Sequence, residues 1–474
     1  MSRYENNLTV IGGGSAGLIA ALIAATVRAS VTLVEKGAMG GDCLNTGCVP
    51  SKTLIRSAKV AHEMRHADRY GITSVAPEVN FPQVMERVQA AIRTIEPKDS
   101  MARYTELGVN CIAGEATVED AHHVRIGDRV ISTKSIVIAS GARPFVPPIP
   151  GLQEADPLTS DSLWALRELP RRLLVMGGGP IGCELAQAFA RLGAQVTLID
   201  MESRLLPRED PEVGEFMASV LREEGVDVRL GHRATEVDAG VLHAQTDAEP
   251  VQIEFDRVLV AVGRRAHTEG LGLEALGIAT APNGTIEVDE YLRTHCPNIF
   301  GCGDVVGPYQ FTHMASHQAW YASVNAMFGR FKKFKVNYHV VPWCTFTDPE
   351  IARVGLSESD AAAQGVPVEV VRYDLDDLDR NIADGATRGW VKVLVKPGSD
   401  RILGACIVGG SAGELIGEFV SAMSHGLGLK KIMATIHIYP TLLEANKFAA
   451  STWRRAHTPH RLLDAVAMLQ RWLR

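Results

Sequence analysis

The sequence predicts an α/β protein of several domains, and the prediction rests on its length and on a pattern that occurs twice. The chain has 474 residues, which is more than one hydrophobic core normally serves. Each copy of the pattern is an apolar strand, a glycine-rich turn, a helix and a second strand that ends in an acidic residue. Strands that alternate with helices in this way form parallel sheets with helices on both faces.

Composition and charge exclude several classes of protein. Hydrophobic residues make up 46% of the chain and charged residues 22%, as in an ordinary globular protein. The net charge of -7 and the pI near 6.1 argue against nucleic acid as a partner, because phosphate binding needs a basic face. Eight cysteines are too few for a disulfide scaffold, so we expect reduced thiols unless a particular pair is catalytic.

The apolar stretch at residues 8–27 could be mistaken for a secretory signal. It contains several glycines, however, and Arg3 and Glu5 leave no clean positively charged leader. A strand, a tight turn and a buried helix explain the stretch better. We therefore expect a cytoplasmic protein without a membrane span.

The first copy of the pattern begins with an apolar strand at residues 8–11. The turn GGGSAG at residues 12–17 follows, then a helix to about Val27 and a strand that ends at Glu35. Gly12 permits the tight turn, Gly14 lets a pyrophosphate approach the backbone, and Gly17 lets the helix pack closely on the strand. The helix N-terminus attracts phosphate, and Glu35 would accept hydrogen bonds from a ribose. This copy predicts a dinucleotide site.

The second copy repeats the first. A strand at residues 172–176 leads into the turn GGGPIG at residues 177–182, a helix to Leu192, and a strand that ends at Asp200. The first glycine and the terminal acid are 23 residues apart in both copies, Gly12 to Glu35 and Gly177 to Asp200. A single glycine triad is weak evidence, but two complete units with equal spacing are strong evidence for two dinucleotides.

An enzyme with two dinucleotides is expected to relay electrons between them. Asp200 suits a free ribose 2′-hydroxyl and repels a 2′-phosphate, so NADH is favoured over NADPH. Arg204 lies four residues further on and could still receive a phosphate.

A cysteine pair follows the first unit. Cys43 and Cys48 stand five positions apart in the segment GGDCLNTGCVPSK at residues 40–52. In a helical segment this spacing brings two sulfurs within bridging distance, and a helix N-terminus lowers a thiol pKa and favours the thiolate. A zinc site is the alternative, but no further ligands follow at suitable spacing, so no metal site is expected.

With this segment the chain resembles the flavoprotein disulfide reductases of the pyridine nucleotide-disulfide oxidoreductase family, which includes dihydrolipoamide dehydrogenase, glutathione reductase and mercuric reductase. The resemblance extends from about residue 6 to about residue 453. It implies that Cys43 attacks the substrate and that Cys48 lies against the flavin as a thiolate. It also implies that Lys52 lies near the flavin, paired with Glu184.

Further motifs carry the same resemblance. They are IASGARP at residues 138–144, AVGR at 261–264, IFGCGD at 299–304, MASH at 314–317 and FTDPE at 346–350. The implied FAD contacts are Gly12, Gly14, Ser15, Gly17, Glu35, Lys36, Gly41, Asp42, Lys52, Gly114, Ser140, Gly141, Asp304, Met314, Ala315 and His317. The implied NAD contacts are Gly177, Gly179, Pro180, Ile181, Gly182, Glu184, Asp200 and Gly263. The other cysteines are expected to be plain buried or half-buried thiols.

The implied fold is α/β, an FAD/NAD(P)-binding two-dinucleotide Rossmann-like fold with a C-terminal α+β dimerisation domain. The expected boundaries are 1–149 and 267–338 for the FAD-binding parts, 150–266 for the NAD(P)-binding domain, 339–453 for the interface domain and 454–474 for a C-terminal extension. A homodimer with shared active sites follows from the resemblance.

One segment departs from the family. The interface domain of these reductases ends in His-Pro-Thr and a glutamate, whereas this chain has Tyr439 in the histidine position, with Glu444 at the usual spacing. A tyrosine pKa near 10 makes a poor base at neutral pH. His437 could take the acid/base role or could be a packing residue, and Glu444 could orient whichever group acts.

Several functions therefore stay open. The first is disulfide reduction or dithiol oxidation, as in dihydrolipoamide dehydrogenase. The second is reduction of a thiol-bound metal ion, since some stretches resemble mercuric reductases; however, no cysteine follows Cys406 to deliver mercury. A flavin- and nucleotide-binding redox sensor without turnover is a third. Residues 453–474 predict one basic amphipathic helix that packs on the dimer, or binds a membrane surface or an acidic partner.

Overall fold

A computed structural model describes residues 3–474, with the side chains at 460–462 excepted. The described chain divides into two units. The first comprises the residues up to Arg65, then Val75–Leu205 and Ala218–Asn337. The second comprises His66–Ser74, Leu206–Met217 and Tyr338–Arg474.

The strands that precede the second unit's sheet are, in chain order, β1 (Asn6–Ile11), β2 (Val31–Glu35), β3 (Asn110–Ala113), β4 (Ala116–Val118), β5 (His123–Ile126), β6 (Arg129–Ile138), β7 (Ala142–Pro144), β8 (Arg172–Met176), β9 (Gln195–Asp200), β10 (Asp227–Leu230), β11 (Arg233–Asp238), β12 (Val241–Gln245), β13 (Val251–Glu254), β14 (Arg257–Val260), β15 (Arg264–Ala266) and β16 (Ile299–Gly301). The helices up to this point and just beyond it are α1 (Ser15–Thr26), α2 (Gly41–Asn45), α3 (Cys48–Arg65), α4 (Phe81–Asp99), α5 (Met101–Glu106), α6 (Pro180–Leu192), α7 (Pro211–Glu223) and α8 (Thr312–Phe328).

The largest sheet is parallel in the order β3-β2-β1-β6-β16, and β4 and β5 add an antiparallel extension along the first half of β6. The two central strands are apolar and buried on both faces, as parallel strands are when helices cover the sheet. Chain order and spatial order reverse between β1 and β6. In α/β sheets this switch point is where a ligand binds.

A smaller sheet repeats that topology. Its order is β10-β9-β8-β14 with all pairs parallel. It is built entirely from residues that lie, in sequence, between β6 and β16 of the first sheet. The sequence prediction of an inserted second nucleotide-binding unit is therefore confirmed as a fold. The predicted strand at residues 172–176 is present with the same bounds as β8.

The second unit is built on an antiparallel sheet. Its strands are β17 (Pro342–Thr345), β18 (Glu350–Gly355), β19 (Glu369–Asp374), β20 (Trp390–Val395) and β21 (Ile402–Gly409), in the order β17-β18-β21-β20-β19. Its helices are α9 (Glu358–Ala363), α10 (Asp379–Ala383), α11 (Ala412–Ser424), α12 (Leu429–Ala434), α13 (Glu444–Ala456) and α14 (His460–Trp472). Val391, Val393 and Ile407 of the sheet form one apolar core with Phe419 of α11 and Trp453 of α13.

The predicted C-terminal helix is present, but it covers His460–Trp472 and does not begin at residue 453. Helix α13 ends at Ala456, and α14 begins only after Pro459. Trp453 belongs to the core of the second unit and is 4% exposed, so it is part of the domain. The apolar side chains of α14 from Leu463 onward are exposed.

Across residues 3–474, the structure contains no helix that is both long enough and apolar enough to cross a membrane.

Candidate active site

The glycines of the first turn are fixed by close backbone approach. Gly12 has φ 106°, and a Cβ there would lie 2.3 Å from the carbonyl oxygen of Ala139, which follows β6. A Cβ on Gly17 would lie 1.7 Å from the oxygen of Gly12. Any side chain at either position would therefore push the turn away from the sheet or the helix away from the turn.

The second turn repeats this geometry. Gly177 has φ 113°, and its Cβ would lie 2.4 Å from the oxygen of Ala261, which follows β14. A Cβ on Gly182 would lie 1.8 Å from the oxygen of Gly177. The two glycine turns therefore have the same backbone geometry in the two sheets.

The middle glycines have a different role. A Cβ on Gly179 would meet nothing within 4 Å, and one on Gly14 would meet only the Cα of Gly41 at 3.7 Å. Both positions are extended N-caps of the helices that begin at Ser15 and Pro180. Open space above an N-terminus with free N–H groups is what a pyrophosphate needs, so these residues fit two dinucleotides.

An acidic residue closes each unit. The Oε2 atom of Glu35 accepts a hydrogen bond from the N–H of Gly13 at 2.5 Å, and the Oδ2 atom of Asp200 accepts one from the N–H of Gly178. A second backbone N–H meets the other oxygen, from Gly37 at 2.6 Å and from Glu202 at 2.8 Å. Both carboxylates are thus held at the mouth of their turn, where a ribose would lie.

The remaining predicted nucleotide residues lie around these turns. Lys36 is exposed after β2, and its Nζ atom lies 3.9 Å from a carboxylate oxygen of Glu115. Gly114 follows β3 and donates its N–H to the carbonyl oxygen of Glu35, and Gly41 begins α2 with its Cα beside Gly14. Ile181 is exposed in the first turn of α6, and Gly263 follows β14 with φ 134°. Each lies in a loop or at the start of a helix, close to the carboxyl ends of the strands that the two glycine turns follow.

The segment at residues 138–144 bridges two parts of the first unit. The hydroxyl of Ser140 donates to the carbonyl oxygen of His267 at 2.7 Å, and the oxygen of Gly141 accepts the N–H of His267. The last three residues of the segment form β7, which pairs with β15. The stretch in which the chain leaves the first sheet for the second therefore contacts the stretch in which it returns.

Asp304 lies in an acidic cluster held by an arginine. The guanidinium of Arg264 lies 2.6 Å from Oδ2 of Asp42 and 3.9 Å from Oδ2 of Asp304. Burial raises the pKa of Asp304 to about 6, and the charge of Arg264 opposes that rise. The cluster connects helix α2, which contains Asp42 and Cys43, to the loop after β16.

The MASH motif at residues 314–317 lies at the start of α8, which begins at Thr312. Met314 and Ala315 are buried in its first turn. His317 lies one turn further on, with Nε2 3.0 Å from the oxygen of Asn337 and its ring against Tyr321.

Cys43 and Cys48 lie in two helices rather than one. Cys43 belongs to the short α2, and Cys48 is the first residue of α3, with the bend at residues 46–47 between them. Both are free thiols, Cys43 half-buried and Cys48 exposed. The two thiols nevertheless lie close enough to shift each other's pKa. They are therefore neighbours, although the helix is interrupted between them.

The pKa values of the two thiols are shifted in opposite directions. The hydrogen bond from Cys43, with further help from Thr312 and the charge of Lys52, lowers the pKa of Cys48 to about 6 against the opposing effect of burial. The same hydrogen bond, together with burial, raises the pKa of Cys43. When the pair is reduced, a thiolate therefore forms more readily at Cys48 than at Cys43.

Lys52 and Glu184 form an ion pair. The Nζ atom of Lys52 lies 2.9 Å from Oε2 of Glu184, whose side chain is 6% exposed.

Among the described residues, no cluster of three or more His, Cys, Asp or Glu side chains is arranged to hold a metal ion.

In the second unit, each of the three candidates of the Tyr439 segment has its own hydrogen-bond partner. Tyr439 donates to Oδ2 of Asp379 at 2.9 Å. The ring nitrogens of His437 lie 3.0 Å from the oxygen of Thr435 and 2.9 Å from Oε1 of Glu418, and its side chain is 1% exposed. A ring that is enclosed and has a hydrogen-bond partner at each nitrogen favours the interpretation of His437 as a packing residue.

Glu444 does not orient either residue in this geometry. Its Oε2 atom accepts the N–H of Thr441 at 3.1 Å, at the start of α13. The carboxylate therefore closes the turn before its own helix. The hypothesis that Glu444 positions His437 or Tyr439 receives no support from these contacts.

Sequence reasoning missed two residues of the site. The Oγ1 atom of Thr312 lies 3.5 Å from Sγ of Cys48, and Arg264 links Asp42 to Asp304. The arginine stands in the AVGR motif, so its presence was visible although its partners were not. Nothing local marks Thr312, because its partner is 264 positions away.

Known enzymes are similar to this chain over almost its whole length. The sequence pattern of the pyridine nucleotide-disulphide oxidoreductases matches residues 6–319, and that of their dimerisation domain matches residues 341–450. A mercuric reductase of Streptomyces lividans is 35% identical over 94% of this chain and 96% of its own length. A dihydrolipoyl dehydrogenase of Chlamydia muridarum is 34% identical over 95% and 97%.

A solved structure agrees with these relatives. The Cu(II) complex of the HOCl-induced flavoprotein disulfide reductase RclA from Escherichia coli superimposes with a TM-score of 0.84 at 29% identity, covering 95% of this chain and 99% of that chain. The dimerisation domain supports a homodimer. The chain therefore belongs to the pyridine nucleotide-disulphide oxidoreductase family, whose enzymes work with FAD and a pyridine nucleotide.

Proposed function

We propose that this enzyme passes electrons between a nicotinamide and a sulfur substrate through Cys43 and Cys48, reducing a disulfide or oxidising a dithiol. The observation that carries the proposal is the effect of the two cysteines on each other, which lowers the pKa of Cys48 and raises that of Cys43. A pair in which one sulfur is already deprotonated is set up for thiol–disulfide exchange.

Each residue of the site then has a stated task. A bound flavin supplies two-electron exchange between the nicotinamide and the cysteine pair. Lys52, held by Glu184, keeps a positive charge near Cys48 and stabilises its thiolate. Cys43 attacks the substrate sulfur, and Cys48 then attacks Cys43 and releases the second thiol. Thr312 donates to the Cys48 thiolate while Cys43 is engaged with substrate.

NADH is the proposed nucleotide partner. Asp200 places a carboxylate at the end of β9, beside the second glycine turn. A 2′-phosphate on the ribose would bring two negative charges to that carboxylate, whereas a 2′-hydroxyl could donate to it.

A thiol-bound soft metal ion is the second candidate substrate. Tyr439 is 67% exposed and stands where the family usually has an acid/base histidine, while His437 is enclosed. Metal-ion reduction needs no acid/base at that position, and a phenol oxygen can help to bind a cation. The mercuric reductase and the copper complex among the relatives are consistent with this alternative.

An acceptor screen tests the proposal. NADH consumption should be measured with lipoamide, glutathione disulfide, small disulfides, thiol-complexed mercuric and cupric ions, and quinones. Disulfide- or metal-dependent turnover that is lost in Cys43→Ser and in Cys48→Ser is the expected result. Turnover with quinones alone that neither substitution alters would contradict a role for the pair.

Two substitutions separate the substrates. Tyr439→Phe should slow metal-ion reduction and leave lipoamide turnover unchanged if the metal ion is the substrate. If disulfides are the substrate, Tyr439→Phe should have little effect on either. His437→Gln should lower stability without favouring one acceptor, because its ring is engaged with Thr435 and Glu418.

A further inference from the structure

The residue immediately before the first cysteine of the pair is an aspartate whose carboxylate is held at both oxygens. Oδ2 of Asp42 lies 2.6 Å from the guanidinium of Arg264, and Oδ1 accepts the hydroxyl of Thr46. The carbonyl oxygen of Asp42 also accepts the N–H groups of Thr46 and Gly47, at 2.9 and 2.6 Å. Asp42 therefore closes the bend that separates α2 from α3, and its carboxylate is held in place one residue before Cys43.

Arg264 is the cation that this carboxylate contacts. Its side chain is 13% exposed, it donates to the carbonyl oxygen of Ala142 at 2.8 Å, and its Nε atom lies 3.9 Å from Oδ2 of Asp304. Asp42 is the closer of these two carboxylates. Asp161 belongs to the same acidic region, because burial and then the charge of Asp42 raise its pKa, while Arg264 opposes the rise. The guanidinium therefore offsets negative charge near the start of α2.

The charge of Asp42 acts on both thiols. Cys48 and burial raise the pKa of Cys43, and the charge of Asp42 adds to that rise. Cys43 lowers the pKa of Cys48 to about 6, and the charge of Asp42 works against this effect. A carboxylate near a sulfur disfavours the thiolate because like charges repel. Asp42 therefore opposes the negative charge that reduction brings to the pair.

We infer that the Asp42–Arg264 ion pair controls the redox equilibrium of the Cys43–Cys48 disulfide: the charge of Asp42 favours the oxidised pair, and Arg264 limits that effect. This inference rests on the proposed function. Reduction breaks the bond between the two sulfurs, and two electrons and one proton leave a thiol at Cys43 and a thiolate at Cys48. The new negative charge is repelled by Asp42, so the reduced pair is a stronger reductant than it would be beside a neutral side chain. Both members of the ion pair act through the sulfurs and are positioning residues.

The test measures the equilibrium between the oxidised and the reduced pair in the holoenzyme. Wild type, Asp42→Asn, Arg264→Met and the double variant are equilibrated without oxygen at neutral pH with reduced and oxidised dithiothreitol over a range of ratios. Acid quenching, alkylation and peptide mapping then give the reduced fraction of Cys43 and Cys48 without turnover. Glu269→Gln is the control, because it breaks a 2.9 Å ion pair with Arg143 that involves neither cysteine helix.

The two single variants should shift the equilibrium in opposite directions. Asp42→Asn keeps an oxygen for Thr46 but removes the charge, and it should raise the equilibrium constant for reduction about three- to tenfold. Arg264→Met should lower the constant about threefold or more, because Asp42 then acts without its cation, and Arg264→Lys should stay close to wild type. In the Asp42→Asn background, Arg264→Met should have little effect, because the charge that Arg264 offsets is already absent. Glu269→Gln should match wild type.

Several results would overturn the inference. Equal constants in all variants would show that the ion pair does not affect the redox equilibrium, while the proposed function would stand. Shifts in the same direction in both single variants, or loss of the flavin from both, would show a structural role. A full Arg264→Met effect in the Asp42→Asn background would assign the effect to another carboxylate, such as Asp304.

Two further outcomes keep the test decisive. If Arg264→Met does not fold, Asp42→Asn alone decides, and an unchanged or lowered equilibrium constant in that variant would overturn the inference. Wild-type enzyme in which Cys43 and Cys48 form no disulfide at any buffer ratio, or in which NADH does not reduce that disulfide, would instead remove the proposed function on which the inference depends.

Discussion

The Nζ atom of Lys52 lies 2.9 Å from Oε2 of Glu184, and this ion pair links the helix that begins at Cys48 to the helix that follows the second glycine turn. One helix begins at Cys48, and the other begins at Pro180, in the glycine turn of the second nucleotide-binding unit. The ion pair is therefore one of the contacts that hold these two helices together.

Breaking this contact should affect both the thiolate and the fold. Lys52→Met removes the positive charge that helps to lower the pKa of Cys48, and it leaves the buried Glu184 carboxylate without its cation. We expect the pKa of Cys48 to rise and the free energy of unfolding to fall by about 1–3 kcal/mol. Arg56→Met, an exposed charge on the same helix, is the control. Equal effects of the two substitutions in urea denaturation and thiol titration would rule out the special role of Lys52.

The pH dependence of cysteine reactivity follows from the lowered pKa of Cys48. Only the thiolate reacts, so alkylation of Cys48 in the reduced enzyme should increase as pH rises through about 6 and level off above it. Thr312→Val removes a hydrogen bond that favours the thiolate, and the midpoint should move to higher pH. Peptide mapping after short exposure to iodoacetamide across pH 5–9 measures it. A midpoint near the ordinary thiol value of about 8.5 in the wild type would show that Cys48 is not activated.

We expect the nucleotide preference to depend on the charge of Asp200. Asp200→Asn keeps an oxygen that can accept the N–H of Gly178 but removes the charge that repels a 2′-phosphate. We expect kcat/KM for NADPH to rise about tenfold or more relative to NADH. Glu202→Gln, an exposed neighbour in the same loop, is the matched control. A wild-type preference for NADPH would instead indicate Arg204 as a phosphate ligand.

A buried lysine forms ion pairs with three carboxylates in the second unit, and we expect its removal to lower the stability of that unit. The Nζ atom of Lys392, on β20, lies 2.7 Å from Asp210, 2.5 Å from Glu212 and 2.7 Å from Glu358, and its side chain is 2% exposed. Burial opposes the charge, but the three carboxylates more than compensate and raise the pKa of Lys392. Lys392→Met should lower the free energy of unfolding by about 3–5 kcal/mol, because three carboxylates lose their cation.

Lys396→Met provides the comparison, since Lys396 is exposed just beyond the same strand. It should change the free energy of unfolding by less than about 0.5 kcal/mol. Urea denaturation of the two variants side by side measures the difference. A Lys392 variant as stable as the Lys396 variant would mean that the carboxylates find other partners or take up protons at little cost.

The sequence predicted the parts of the fold that local geometry determines. A glycine with φ 106° beside a strand end, or a Cβ that would lie 1.7 Å from a carbonyl oxygen, leaves only one residue type possible, so Gly12 and Gly17 mark the turn wherever it occurs. The spacing between Gly177 and Asp200 is set in the same way by the lengths of a helix and a strand.

Contacts between distant side chains were not predictable. Tyr439 lies 60 positions from Asp379, and His437 lies 19 from Glu418, with no periodic pattern that connects either pair. The sequence therefore left the role of His437 open between catalysis and packing, and its enclosure in the second unit favours packing. The C-terminal helix was predicted too long for a related reason. Trp453 matches an amphipathic helix pattern equally well whether its partner is solvent, a membrane or the core of its own domain.

The central claim is that electrons from the nicotinamide reach Cys43 and Cys48, and peptide mapping after anaerobic reduction tests it most directly. Oxidised enzyme is treated with NADH in the absence of any acceptor, alkylated and digested, and compared with enzyme not given NADH. The account predicts that NADH makes both Cys43 and Cys48 alkylatable and leaves the labelling of the buried Cys183, Cys302 and Cys406 unchanged. Labelling of Cys43 and Cys48 that is the same with and without NADH would contradict it.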